Sequence, residues 1–398
     1  MRRAVLSFTC LAFAAAYFLA GCGPKPRSAQ GLLDTPESHY HQGMRKLEAG
    51  DLEAAQSQFD DALHLDAKYA PAWAGLSLVH ATRAAEIPDR KSEARKDAVK
   101  AAEKALDKAV DLGKKEARVW IAHIRVPALL QEDEDWIENS RKGWKKAVDL
   151  DPRSDEAYYW MGLAYRQALD FRSSEEMLRA ALDLDGHWSE EAGSALQQVH
   201  RIVQAQPGTR HGRQIALVDR ISRADLAVLY IEELNVVERL QRKEAASAGP
   251  EVRFTAPPDP RAYPEGNPAE AAAISDIEGH WAQSMIQDFV GAGLFEVMAD
   301  HRFGPDEPVT RIEFAGTVQR LLYLATGDET LFSRYLGEQE SHLRDLRTDH
   351  PYYGAAALCV ERNIMQLDKI TGDFHPKGNV SGADAALIIR DLKNALKW

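Results

Sequence analysis

Two short stretches place a histidine beside a tryptophan in a pattern that could do chemistry. "LDGHWSEEA" carries His187 and Trp188, and "SDIEGHWAQSM" carries His280 and Trp281, 93 positions later. Each pair follows an acidic residue and a glycine and opens a helix-like run. Two histidines can hold zinc or move protons; a repeated step can also mark a duplicated module with its own binding site. Zinc needs three or four ligands at short spacing, and neither copy has a second ligand close by. H-E-x-x-H, G-x-S-x-G and Walker A patterns are absent, and "GAG" at 291–293 is too short for a dinucleotide loop. The expectation is a chain that is no enzyme, with no cofactor and no metal.

A helix start recurs downstream of each histidine. From His187, His280 and His350 the distances to Ser222, Thr310 and Ser381 are 35, 30 and 31 residues. Ser222-x-x-Asp225, Thr310-x-x-Glu313 and Ser381-x-x-Asp384 have the form of a capping box. Ile221, Val309 and Val380 precede the caps, and Leu226, Phe314 and Ala385 sit where a hydrophobic staple closes. Capping does not explain Arg223 and Arg311. Each holds the first helical position, where the helix dipole disfavours a cation by a few tenths of a kcal/mol. An arginine beside unsatisfied helix N–H groups makes an anion site, and two of them suggest a carboxylate-bearing ligand. The alternative is that each arginine pairs with an acid of its own chain.

These residues carry a resemblance to the S-layer homology domain, whose repeats run D-x-x-x-[DG]-H-W-A, a helix, F-x-P, then [IV]-[TS]-R-A-E. Asp276, Gly279-His280-Trp281-Ala282, Phe303-Gly-Pro305 and Val309-Thr310-Arg311-Ile312-Glu313 follow it. The first copy keeps Gly186-His187-Trp188 and Ile221-Ser222-Arg223-Ala224-Asp225 and lacks F-x-P. The third keeps Asp345, Asp349-His350, Phe374-His-Pro376 and Ser381, with Pro351 for Trp and Gly382 for Arg. The resemblance covers about residues 185–396. It implies a three-repeat pseudo-trimer whose grooves bind cell-wall polysaccharide, the helix-start arginine meeting acidic groups such as ketal-linked pyruvate. Carried over, the wall-polymer-binding set is Arg223, Arg311, Trp188, Trp281, Thr310 and Ser222, with Asp225, Glu313, Ser381 and Asp384 as helix caps. Gly382 leaves at most two fully equipped grooves.

The elements upstream repeat as well. Ala55-Phe59-Ala62, Ala102-Leu106-Ala109, Ser140-Trp144-Ala147 and Ser174-Leu178-Ala181 are small–large–small triplets at spacings of four and three. Each triplet shares one helical face, with small residues that let a partner helix come close. An amphipathic run precedes each, and Trp73, Trp120 and Tyr158 begin three of them. The large residues are 47, 38 and 34 positions apart, a 34-residue period with insertions, which fits a helix–turn–helix solenoid. The segment resembles the tetratricopeptide repeat, and such solenoids commonly hold a peptide or protein on their concave face. Pro127 should kink the first helix of the third repeat, and "EIPDRKSEARKDA" should lengthen the second helix of the second.

At the N-terminus, Arg2 and Arg3 precede an apolar run from Ala4 to Ala20, a secretory signal. It ends in Leu19-Ala20-Gly21-Cys22, which resembles the lipobox of bacterial lipoproteins and implies cleavage before a lipidated Cys22. Two acyl chains give stable anchoring. Gly23 is not the Asp of an inner-membrane retention signal, so a diderm host would carry the protein on its outer membrane, facing the periplasm. With Cys10 removed and Cys22 capped, only Cys359 remains, so no disulfide can form within the mature chain, and Cys359 should be a buried small hydrophobe. The formal charge of −12 excludes nucleic acid as a partner.

The sequence therefore describes an all-α protein: a tetratricopeptide helical solenoid followed by a three-repeat S-layer-homology helical domain. The divisions are a signal peptide (1–21), a lipidated linker (22–35), four solenoid repeats (36–185), a first S-layer-like repeat (186–245), a Pro/Gly-rich linker (246–273), and second and third repeats (274–326 and 340–398). The expected partners are cell-wall polysaccharide or peptidoglycan, a protein in the repeat groove, and the membrane through lipid on Cys22. The alternative is an assembly adaptor for secretion or surface-layer proteins, with the C-terminal domain only a scaffold. Cys22→Ala should leave the chain unlipidated and uncleaved; retention of a metabolic fatty-acid label on that variant would remove the lipobox reading.

Overall fold

The computed structural model describes residues 27–247, 274–298 and 300–398. The signal segment, Cys22 and all but the first two residues of the 246–273 stretch lie outside the described residues. Those first two close a helix. The described residues form seventeen α-helices and no strand, the all-α class expected from sequence. They make two compact units, one ending at Arg153 and the other running from Ser154 to Trp398.

The first unit is three antiparallel hairpins: α1 (Pro36–Glu48) with α2 (Leu52–Leu65), α3 (Ala70–Glu86) with α4 (Glu93–Leu112), and α5 (Ala117–Leu130) with α6 (Trp136–Leu150). Local chemistry sets several starts, since the Thr35, Asp51 and Ser92 side chains each accept an N–H of the first turn. The triplets point inward. Ala55, Phe59, Ala62, Ala102 and Ala109 are fully buried, and Leu106 nearly so. Phe59 lies against two bare backbones, because a β-carbon on Gly43 or Gly75 would fall 2.5 or 2.4 Å from its ring. The insertion does lengthen α4, which at 20 residues exceeds the 14 of α2 and the 15 of α6. Helix α5 continues through Pro127. Its partner helix comes close about one turn earlier: a β-carbon on Gly143 would fall 3.0 Å from the His123 carbonyl oxygen, and the Ser140 hydroxyl donates to the Ile124 carbonyl at 2.8 Å.

The second unit opens with the fourth hairpin, α7 (Asp155–Gln167) and α8 (Phe171–Asp183). Ser174 and Leu178 are buried as in the other triplets, and Ser174 donates to the Gly162 carbonyl at 2.8 Å. Three repeats follow. The first holds α9 (Ser189–Ala205), α10 (Arg210–Ile215), α11 (Arg223–Val228), a π-helical turn at Leu229–Glu233 and α12 (Val236–Ser247). The second holds α13 (Gln283–Gly291), α14 (Arg311–Thr326) and the short α15 (Thr330–Ser333); the third holds α16 (Tyr353–Glu361) and α17 (Gly382–Leu396). Their shared core centres on Tyr230, Phe289, Phe303, Phe314, Tyr353 and Phe374, all fully buried. Cys359 is buried in it, and burial pushes its thiol well above the usual range.

Helix α9 has a second occupation. Phe171 and Leu178 of α8 join Val199 and Ile202 of α9 and Ala383 and Ala386 of α17 in one cluster. The Asp155 carboxylate of α7 accepts the Trp188 N–H at 2.7 Å. The fourth hairpin is thus part of the second unit, and the sequence-based boundary at 185 falls inside it. Pieces 27–153 and 154–398 should each melt cooperatively by circular dichroism, while 186–398 should melt lower because α8 has been stripped from α9. Equal melting of 154–398 and 186–398 would show that α7 and α8 contribute nothing there.

Candidate anion-binding groove

The residues before the three helix starts meet. Ile221 N–H donates to the Val380 carbonyl at 2.9 Å, Val380 N–H to Val309 at 3.2 Å, and Val309 N–H to Ile221 at 3.0 Å, closing a cycle. All three side chains are buried. The next amides reach the loop of the following repeat. Arg223 and Ala224 donate to Glu307 and Pro305 at 2.9 and 3.0 Å; Arg311 and Ile312 donate to Gly378 and Pro376 at 2.8 and 3.0 Å; Gly382 donates to Val218 at 2.8 Å. This corrects the expectation of unsatisfied N–H groups beside the arginines. The neighbouring repeat has already taken them, so anion binding must come from side chains.

The cap residues behave as their spacing implies. Ser222 with Asp225 and Thr310 with Glu313 form reciprocal capping boxes, and both hydroxyls also donate to their box carboxylate. Burial opposes ionisation of Glu313, yet bonds from Thr310 and Arg223 hold its carboxyl below the ordinary range. That stability is present above the unfolded carboxylate pKa and is lost as pH falls through the lower folded value. At the third start Ser381 Oγ donates to Asp384 at 2.7 Å, and the other Asp384 oxygen accepts from Arg201 of α9 at 2.9 Å.

From the F-x-P turn onward copies two and three run in register at an offset of 71 residues, Phe303 matching Phe374 and Thr310 matching Ser381, while the opening acids Asp276 and Asp345 are 69 apart. Asp276 accepts the N–H groups of Phe303 and Gly304 at 2.9 and 2.8 Å, and Asp345 those of Phe374 and His375 at 2.9 and 2.6 Å. That is why the opening acid and the F-x-P turn occur together.

The two arginines have different surroundings. Arg223 Nη1 donates to the Phe303 carbonyl at 3.1 Å and meets Glu307 at 2.5 Å, while Nη2 meets Glu313 at 3.0 Å. Its side chain is 12% exposed and stacks on Phe295. Arg223 therefore pairs with acids of its own chain. Arg311 donates from Nε to the Phe374 carbonyl at 2.6 Å and from Nη2 to Gln366 at 2.7 Å, and stacks on Phe374. No carboxylate among the described residues bonds to it. Burial lowers its pKa, with Asp384 and Asp345 acting against the shift.

Arg311 lies in a cavity of about 730 Å³, whose walls include Gln366, Asp368, Gly378 and Asp384 as well as Arg201 and Arg390. Arg201 is bonded to Asp384 and Arg390 to Asp391. Asp368 is held by the N–H groups of Ile370 and Thr371. The equivalent hollow at Arg223 is about 320 Å³. Sequence reading missed Arg201, Gly378 and Arg390. The 71-residue register could have shown that Gly378 stands where the second copy has Glu307; nothing in the sequence links Arg201 to Asp384.

Trp188 stacks on Tyr159 with ring centroids 4.9 Å apart and meets Trp160 edge-on, so its ring is covered by its own chain. Trp281 is 55% exposed, beside His211 and His280, and does not line the Arg311 cavity. His280 Nδ1 accepts the Ala282 N–H, and His350 Nδ1 the Tyr352 N–H, both at 3.2 Å. The repeated histidine is thus a backbone cap in copies two and three.

The third helix start has no room for an arginine. A β-carbon on Gly382 would lie 1.8 Å from the Ile215 carbonyl oxygen. Gly382→Ala should cost roughly 1–3 kcal/mol, the range for overpacking. A thermal melt equal to wild type would show that α10 gives way freely.

Residues 273–315 and 343–386 match the S-layer homology domain. The chain is also 27% identical over 125 residues to the "Surface-layer 125 kDa protein" of Lysinibacillus sphaericus, an overlap of 31% of this chain and 10% of that one. It spans only about a tenth of that relative's length. Copies two and three thus carry S-layer homology segments, and the first copy closes the backbone cycle with them.

Proposed function

We propose that this chain is a non-enzymatic envelope protein that binds an acidic cell-wall polymer in the Arg311 groove. One observation carries the reading: a half-buried guanidinium, bonded only to backbone carbonyls, faces a cavity large enough for a sugar residue or two. Desolvation strengthens a charge-assisted hydrogen bond to an incoming anion. The S-layer homology match supports the same reading. Lipid on Cys22 would hold the chain to a membrane, and the hairpins of the first unit, read as tetratricopeptide repeats, would hold a protein partner. The chain would then tether membrane or partner to wall.

Arg311→Glu should weaken sedimentation with purified cell wall roughly 10- to 150-fold, the loss of one charge-assisted bond of about 1.5–3 kcal/mol. Its melting temperature should fall as well, since the bonds to the Phe374 and Gln366 carbonyls are lost, and Arg311→Met, which keeps the packing without the charge, should weaken binding with a smaller loss of stability. Arg223→Glu should spare wall binding while lowering stability, because it leaves Glu307 and Glu313 facing a third carboxylate. Undiminished wall binding by folded Arg311→Glu and Arg311→Met would favour the adaptor reading.

A further inference from the structure

We infer that positions 307 and 378 decide, groove by groove, whether the helix-start arginine takes a carboxylate from its own chain or from outside, and that the open carboxylate subsite lies over Gly378. The inference rests on the wall-binding reading and names the chemical group that the groove takes.

The two positions are the same place in the fold. Glu307 accepts the Arg223 N–H at 2.9 Å and donates to the Gly304 carbonyl at 3.0 Å; Gly378 accepts the Arg311 N–H and donates to the His375 carbonyl, both at 2.8 Å. From that shared backbone the Glu307 side chain turns onto the Arg223 guanidinium at 2.5 Å. Position 378 has no side chain to do so. A β-carbon there would stand 3.1 Å from the His375 oxygen and 3.6 Å from Arg311 Cδ, so a side chain would start beside the arginine once the His375 turn gives by a few tenths of an ångström.

The second internal acid is withdrawn too. Glu313 reaches Arg223 at 3.0 Å, whereas its counterpart Asp384 is one methylene shorter and bonds to Arg201 at 2.9 Å. Arg223 therefore meets two carboxylates, and Arg311 meets none among the described residues. Glu307 is a built-in occupant that reports what the arginine recognises: one planar, singly charged carboxylate delivered from the loop side. A saccharide carrying a carboxylate would set that group where Glu307 sets its own. Asp384 is itself held by Ser381 on one oxygen and Arg201 on the other.

The test exchanges the two residues in the full chain and measures sedimentation with purified cell-wall sacculi that retain their secondary polymer. Gly378→Glu should weaken binding at least tenfold, while Gly378→Gln, equal in bulk and uncharged, should keep most of it at the same melting temperature. Because Glu313 also holds Arg223, Glu307→Gly combined with Glu313→Asp, the acid that stands at position 384, should recover in the Arg311→Ala background part of the binding that Arg311→Ala alone loses. Wild-type binding with Gly378→Glu unaffected, or with Gly378→Gln as damaging as Gly378→Glu, would overturn this inference and leave the wall-binding reading standing. No sedimentation of wild type would overturn the wall-binding reading itself.

Discussion

Three backbone hydrogen bonds, from Ile221 to Val380 to Val309 and back to Ile221, are the constraint on which the second unit depends. Each joins residues from different repeats, so no repeat can complete its own helix start. The cycle fixes where each helix begins and sets its first amides against the loop of the next repeat. It also carries each arginine onto that loop, with Arg223 over Phe303 and Arg311 over Phe374. A groove is therefore shared property, built from one repeat's arginine and the next repeat's turn. The buried Ile and Val side chains shield the cycle from water, where exposed amide bonds would count for little.

Within that frame, electrostatics separate the grooves. A guanidinium removed from water must find partners, and the two arginines find different ones. Arg223 ends in a pair of carboxylates, an arrangement that stabilises the fold and leaves little attraction for a further anion. Arg311 ends in carbonyl dipoles, which satisfy N–H geometry without a bonded carboxylate among the described residues, Asp384 and Asp345 acting on its charge only from a distance. The same frame explains the first copy's departure from the sequence pattern. Where F-x-P is missing, the backbone of α10 crosses Gly382 directly and occupies the space of a side chain.

Local rules made much of this legible in the sequence. The triplets around Phe59, Leu106 and Leu178 were readable because helical spacing alone puts small and large residues on one face. The capping boxes at Ser222 and Thr310 were readable because their partners lie three residues apart. Arg223 and Arg311 stood out as dipole violations, but their fates did not, because Glu307 lies 84 positions from Arg223 and meets it only once repeat order is known. The free helix N–H groups failed as an expectation for the same reason: their acceptors are carbonyls, which every residue has and no sequence pattern marks. The end of the first unit was hidden because α8 shows the same buried triplet as α2 and α4 and spends it on α9.

The bare position at Gly382 has a consequence for valency. With Arg223 internally paired and the third start closed by the Ile215 backbone, one of three grooves keeps an open charge. Avidity on a repeating polymer requires linked sites that engage together, and a molecule with one open groove has none within itself. Its residence on the wall would be set by a single dissociation step, and bridging two polymer strands would take two molecules. Restoring the third groove is not a matter of one substitution, since a whole backbone turn stands in its place. The number of grips per molecule is thus fixed by the course of the main chain, and collective hold must come from how densely the molecules are arrayed.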